Sequence, residues 1–317
     1  MLSKKLIKAI ILLIALPIFS FSQVTTSSIS GNVKDEKNNP IQGATVSATH
    51  EPSGTVYKTV SNKAGVFTLN GLRTCGPYAV KVEFVGLRTE TYTDLYLSLG
   101  EPTVINAALV GKNSKTLDDV TVNSQKKKAS TDRTGASTVI NQAILKTLPT
   151  ISRSLSDFTK LTPQANGNSF GGRDGRYNNT VVDGANLNNN FGLSTDPLPG
   201  GGANPISIDA IEEIAVNISP FDVKQGNFTG ASINAITKSG TNTIHGSVYH
   251  YFRNQDNNGK KVGSITLPDP VASSSKIWGA TLGGPIIKNK LFYFLSYETE
   301  ERSAPGITYS PKGGSGN

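Results

Sequence analysis

Apolar and polar positions alternate along this chain in short runs, and the period of the alternation changes twice. Between Ser28 and Val110 the runs have strand length, with turn residues between them. Ile29-Ser30-Gly31-Asn32-Val33 alternates, Asp35-Glu36-Lys37-Asn38-Asn39-Pro40 is a turn, and Ala44-Thr45-Val46-Ser47-Ala48 alternates again. Residues 56–60, 66–69, 78–84 and 104–109 continue the pattern. Short alternating strands joined by Gly, Asn and Pro turns predict a small β-sandwich. From Ala136 the period lengthens. Ile140, Ala143, Ile144 and Leu148 share a helical face, and Pro149 ends the run. Ser154-Leu155-Ser156-Asp157 is a capping-box pattern opening a second short helix through Leu155, Phe158 and Leu161, which Pro163 stops. Thr180-Val181-Val182-Asp183-Gly184 is a strand running into a turn. Residues 206–218 combine a short helix through Ile211 and Ile214 with a strand through Val216 and Ile218, and residues 230–240 form a strand that leaves this α/β unit.

The last third returns to period 2 and becomes aromatic. Val248, Tyr249, Tyr251 and Phe252 fall in residues 244–253. Trp278, Ala280 and Leu282 share a face of residues 276–284, and Phe292, Tyr293, Phe294 and Tyr297 fall in residues 291–299. Such strands suit a membrane barrel with aromatic girdles. Residues 254–275 are a long polar connection and 285–290 a short one, as external loops and periplasmic turns are. A second soluble β domain is the competing reading of the same pattern.

Composition agrees with a β-rich chain: 17% charged residues, 32 Gly, and 22 Tyr plus Phe. A single cysteine, Cys75, excludes an internal disulfide framework and a cysteine-cluster metal site. His245 and His250 lie five apart on an expected strand, so they face opposite ways and cannot share a metal. The sequence carries no nucleophile elbow, phosphate loop or zinc spacing, so no enzyme activity and no cofactor are expected. Asp174, Asp183, Asp196 and Asp209 sit beside turn residues and read as turn or cap groups.

Residues 1–22 read as a secretory signal: Lys4, Lys5 and Lys8, an apolar run too short to span a bilayer comfortably, then Ser20-Phe21-Ser22 with cleavage expected after Ser22. Those lysines carry three of the eight net positive charges, leaving +5 on the mature chain. Apart from Lys126-Lys127-Lys128 that surplus is scattered, and no nucleic-acid partner is expected.

One stretch sits between two polar arms. Leu117-Asp118-Asp119-Val120-Thr121-Val122 is β-prone, with Gly111-Lys112-Asn113-Ser114-Lys115 before it and Asn123-Ser124-Gln125-Lys126-Lys127-Lys128 after it. A segment with unpaired backbone groups between flexible arms can be added as a strand to another protein's sheet edge. Taken by itself it is also an ordinary linker.

Three resemblances organise these pieces. Gly31-Asn32-Val33-Lys34-Asp35, Pro40-Ile41-Gln42-Gly43-Ala44-Thr45-Val46 and Ser61-Asn62-Lys63-Ala64-Gly65-Val66-Phe67 resemble the carboxypeptidase-regulatory-like domain, a transthyretin-like seven-stranded sandwich. Val181-Val182-Asp183-Gly184, the segment Ile208-Asp209-Ala210-Ile211-Glu212-Glu213-Ile214-Ala215-Val216 and the exit strand 230–240 resemble, in order, three motifs of TonB-dependent receptor plug domains. Leu148-Pro149-Thr150-Ile151-Ser152-Arg153-Ser154 and Ser219-Pro220-Phe221-Asp222-Val223 resemble the Oar-like branch found in Bacteroidetes. The resemblance implies a mainly β chain: a transthyretin- or immunoglobulin-like sandwich, an α/β TonB plug domain, and the first strands of an incomplete outer-membrane β-barrel. Its expected divisions are a signal peptide over 1–22, the sandwich over 23–112, a linker with the TonB box over 113–130, the plug over 131–240 and the start of the barrel over 241–317.

The resemblance further implies an outer-membrane receptor or transporter with its sandwich in the periplasm, barrel lipid around it, TonB as partner by strand addition, and an unknown extracellular ligand. Leu117, Asp118, Asp119, Val120, Thr121 and Val122 would be the TonB box. Arg173, Arg176, Tyr177, Asn189 and Phe191 would lie in plug loops facing the ligand, against the plainer reading of solvated loops. Two alternatives stand beside this: an Oar-like adhesion or assembly protein without transport, and a periplasmic signalling receptor. The 77 residues after Gly240 hold about three strands, whereas a 22-stranded plugged barrel takes ~220 strand residues. A fragment or a truncated product is therefore expected.

Overall fold

A computed structural model describes residues 25–111, 121–123, 136–150, 153–188, 206–220, 225–257, 259–266 and 272–303. The expected signal segment and its cleavage point lie outside the described residues. The first unit comprises β1 (Ser27–Asp35), β2 (Thr45–His50), β3 (Thr55–Val60), β4 (Val66–Leu72), β5 (Cys75–Glu83), β6 (Glu90–Leu97), β7 (Pro102–Val104) and β8 (Ala107–Leu109). One sheet has the order β4-β1-β7, with β8 also on β1, and the other runs β3-β2-β5-β6. The residues that alternation selects, among them Ile29, Val33, Val46, Phe67, Leu69, Val80 and Val82, form one apolar core between the sheets. Each such side chain contributes ~1.5–3 kcal/mol by leaving water.

The turns form where the sequence places them. Asp35 accepts hydrogen bonds from the backbone N–H of Lys37 and Asn39, and Asn62 accepts from those of Ala64 and Val66. Gly43 and Gly65 adopt φ of 81° and 73°, a region in which a side chain would be strained.

Two details of the sandwich differ from the reading of the sequence. β6 is a strand that simple alternation does not reveal. Tyr92, Leu95 and Leu97 are its buried residues, and Asp94, at φ 57°, inserts an irregularity between the first two. Residues 104–109 were expected as one strand and form parts of two, β7 and β8, both parallel to β1. Between them the chain crosses directly over Gly31. A Cβ there would stand 1.7 Å from the Ile105 carbonyl oxygen, so this crossing requires glycine.

The α/β unit contains β10 (Ala136–Asn141), α1 (Gln142–Thr147), α2 (Leu155–Thr159), the small hairpin β11 (Ala165–Asn166) and β12 (Ser169–Phe170), β13 (Asn179–Val182), β14 (Ala185–Asn186), β15 (Ile211–Ile218) and β16 (Ser232–Thr237). Its sheet runs β10-β15-β16-β13-β14, and Ile140, Phe158, Phe170, Ile211, Ile214, Val216 and Ile233 make a second core. Here helical periodicity misleads at two places. Residues 136–141 pair with β15 as a strand, and the helix begins only after Asn141, whose side chain accepts from the Ile144 N–H. The β-branched run Thr138-Val139-Ile140 favours the strand. Ile211 and Ile214 likewise lie on β15, preceded by a single 3₁₀ turn, Ile208–Ala210. Ser154 does occupy the N-cap position of α2, yet its hydroxyl meets that of Ser156 instead of closing a cap bond.

The last sheet has the order β17-β20-β21, from β17 (His245–Asn254), β20 (Ser274–Ile287) and β21 (Leu291–Ser303). The long connection between β17 and β20 holds the short hairpin of β18 (Lys261–Val262) and β19 (Ile265–Thr266). Cross-strand register places Val248 beside Ala280 and Tyr297, and Gly246 beside Leu282 and Leu295, all on one face. That face is bare: Val248 is 81% exposed and Leu295 63%. The opposite face carries Tyr249, Tyr251, Ile277 and Glu298 and lies against the α/β unit. Apolar outside and mixed polar inside is the pattern of a lipid-facing barrel wall. Among the described residues the three strands do not close.

Candidate functional site

Leu117, Asp118, Asp119 and Val120 lie outside the described residues. Thr121 and Val122 belong to β9 (Thr121–Asn123), which pairs in parallel with β6: Thr91 with Thr121, Tyr92 with Val122, Thr93 with Asn123. β9 extends the second sandwich sheet beyond β6. Part of the stretch singled out in the sequence thus sits as a strand on a sheet edge, through backbone hydrogen bonds that need no particular side chain.

The sheet of the α/β unit has two ends of different character. β13 runs parallel to β16, so the loop before Asn179 lies at the Ser232 end, and the Asp183–Gly184 turn lies at the Thr237 end. Roughly 20 Å of strand separates them. Arg173, Arg176 and Tyr177 stand exposed at the first end. Arg176 donates to Asp174, whose carboxylate also caps the 3₁₀ turn Gly175–Tyr177, and these bonds hold Asp174 below its ordinary pKa. The loop is held from beneath by asparagines. Asn178 receives the Ala231 N–H and donates to the Asn168 carbonyl, while Asn179 accepts from both Asn186 and Asn188. The structure therefore brings Arg173, Arg176 and Tyr177 together. Asn189 and Phe191 fall outside the described residues.

At the other end the turn is built by Asp183 (φ 47°) and Gly184 (φ 84°). The Asp183 carboxylate accepts from the Thr237 N–H at 2.9 Å and its hydroxyl at 2.6 Å, tying the turn to β16. The sandwich meets this end. Glu213 of β15 is 1% exposed, and its Oε1 accepts from the Leu99 N–H of the sandwich at 2.8 Å. Its Oε2 accepts from the Cys75 thiol at 3.5 Å. Burial pushes the Glu213 carboxyl up, against the lowering effect of those two hydrogen bonds, and burial with the neighbouring carboxylates pushes the Cys75 thiol far above its usual value. Lys238 donates to the Asp209 carbonyl at 2.6 Å, and burial lowers its pKa.

The α/β unit is also fastened to the barrel-type sheet. Arg153 pairs with Asp209 and lies over the Tyr251 ring at 4.0 Å. The hydroxyls of Ser207 and Tyr249 both donate to Glu298, at 2.8 and 2.6 Å. Sequence reading did not single out Glu213, Arg153 or Glu298 as site residues. The signal for Glu213 was partly present in parity: on a strand it shares a face with Ala215 and lies opposite Ile214 and Val216, while an irregularity between Ile211 and Glu213 carries Ile211 into the core with Ile214 and Val216. Among the described residues no group of three or more His, Cys, Asp or Glu side chains is placed to hold a metal ion.

Residues 28–110 match the carboxypeptidase regulatory-like domain, and residues 236–311 match an outer membrane beta barrel domain. The chain is 31% identical over 154 residues to the TonB-dependent transporter Oar of Myxococcus xanthus, a match covering 46% of this chain and 14% of that protein. It is 30% identical over 176 residues to the probable TonB-dependent siderophore receptor PirA of Acinetobacter baumannii, covering 50% of this chain and 22% of that protein. The crystal structure of PirA from Acinetobacter baumannii superposes with a TM-score of 0.40 at 24% identity, over 53% of this chain and 25% of that one. The chain thus spans less than a quarter of the length of the curated relatives it matches.

Proposed function

We propose, from the premise that the chain is part of a TonB-dependent receptor, that it supplies the periplasmic and plug portions of an outer-membrane protein for energy-coupled uptake. On this reading the sandwich spans 23–112, the coupling linker 113–130, the plug 131–240, and the barrel begins at 241. The observation that carries it is the placement of the α/β unit against the inward face of β17, β20 and β21, through Arg153, Tyr251, Ser207 and Glu298. An α/β unit held on the inner side of a lipid-facing wall is a plug, and a plug needs something to move it.

Leu117 to Val122 is the segment that does so. Ligand binds at the outer end, where Arg173, Arg176 and Tyr177 stand, and the shift frees the segment on the periplasmic side. TonB takes it by strand addition and pulls. The mechanism is one of binding and displacement, with no covalent step. The pairing of Thr121–Asn123 with β6 supports the strand-forming character this role demands. Proline removes a backbone donor and cannot sit within a central ladder. Val120→Pro in the membrane-embedded receptor is therefore expected to abolish uptake and to lower capture by the carboxy-terminal domain of TonB about tenfold or more. Unchanged capture and uptake would remove the coupling role and leave an adhesion or assembly protein built on the same fold.

A further inference from the structure

We propose that the sandwich is a docked lid on the plug, fastened over the sheet end from which β16 departs, and that Glu213 is the pin holding it there. The linker between the two units cannot set their arrangement. Beyond β9, which is itself paired to the sandwich, its 12 residues from 124 to 135 reach up to ~40 Å when extended, so direct contacts fix where the sandwich sits.

Those contacts come at two places and converge on one side of the sandwich. At the first, Glu213 receives the Leu99 N–H and the Cys75 thiol. At the second, Arg73 donates to Ser239 at 3.1 Å and lies over the Phe292 ring, and the Asn242 N–H donates to the Pro52 carbonyl at 2.9 Å. Between these places a cavity of about 730 Å³ is lined by sandwich, plug and barrel residues together, including His50, Arg73, Lys146, Glu212, Lys238 and His245.

The pin has the energetics of a switchable contact. A carboxylate buried at an interface is costly unless its partners are present. Docked, Glu213 has two donors. Undocked, it regains water, and the Leu99 N–H does too. The groups are therefore satisfied in both arrangements and unsatisfied between them, which makes docking a two-state event. This docking stands whether or not the 117–122 segment binds TonB, and its test uses neither TonB nor ligand.

Cys75 is the sole cysteine of the chain, so its alkylation reports on the interface. In the membrane-embedded protein, Glu213→Ala is expected to raise the alkylation rate of Cys75 about tenfold and to release the Leu99 amide to hydrogen exchange, with core amides such as Val80 and Ile233 still protected. Glu213→Gln removes the same charge yet keeps a carbonyl acceptor for Leu99, so the Leu99 amide should stay protected and alkylation should rise far less than in the Ala variant. Arg73→Gln, a change at a half-buried residue outside either core, should release the Leu99 amide partially. If Ala and Gln variants accelerate alkylation equally and leave Leu99 protected, the effect is the electrostatics of the thiol and the docked lid is wrong. Should the Ala variant fail to fold, unaltered Leu99 exchange in Arg73→Gln overturns the proposal equally.

Discussion

In β1 and β4 the alternate residues Ile29, Phe67 and Leu69 disappear into a core, while in β17, β20 and β21 the alternate residues Val248, Trp278 and Leu295 stand in the open. Both regions follow period 2, and both put apolar side chains on one face. They differ in what that face meets. The sandwich brings a second sheet over it. The barrel-type sheet turns its polar and aromatic face towards the α/β unit and leaves the apolar face bare. Periodicity thus reveals that a strand has two unlike sides without revealing which side is the inside.

The contrast can be broken most severely at Gly31, because the sandwich depends on close approach. Gly31→Ala drives a methyl group into the Ile105 carbonyl. A loss of about 4 kcal/mol is expected, the exceptional range reserved for such clashes, read as early loss of Val80 amide protection in the whole chain. The next largest effect tests which face of β17 meets lipid. Val248→Arg should cost about 2–3 kcal/mol of membrane stability, while Ser247→Arg on the inward face should cost far less. The yield of folded protein in the outer membrane measures both, and equal yields would mean that the sheet has no lipid side.

The mildest perturbation sharpens the sandwich side by pH. His50 is buried against Tyr78, and burial, with the Arg73 charge second, lowers its pKa from 6.5 to about 4. The folded protein thus refuses a proton that the unfolded chain accepts. The stability this histidine supports is intact above pH 6.5, declines as pH falls from 6.5 to about 4, and levels off below. His50→Gln should flatten that part of the pH profile of unfolding, and an unchanged profile would assign the slope to other groups.

Much of this was legible in the residues. The sandwich strands were, because each buries one face of a regular alternation and Asp35, Asn62, Gly43 and Gly65 mark the turns. β6 was hidden, since the irregularity at Asp94 shifts Tyr92 out of step with Leu95 and Leu97. Residues 136–141 read as helix because they run directly into the helix that starts after Asn141 and share its spacing, and Ile211–Ile214 because an irregularity in β15 puts residues three apart on one face. The exposed loop with Arg173, Arg176 and Tyr177 was legible by composition. The Glu213 contact was not, for it joins residues far apart in sequence, and local pattern carries no record of a partner.

The ladder between β20 and β21 runs from Ser274 to Ile287 with one irregularity, near Pro285. Its consequence is a rule of parity. Losing one residue from the middle of β20, such as Gly279, would carry Trp278 or Leu282 from the bare face to the one against the α/β unit and exchange them for Ile277 or Thr281. Losing two neighbours would shorten the wall and leave every remaining side chain facing the medium it was made for. This part of the chain can therefore be edited only in even steps, a constraint that the sandwich turns, with room for an odd residue, do not share.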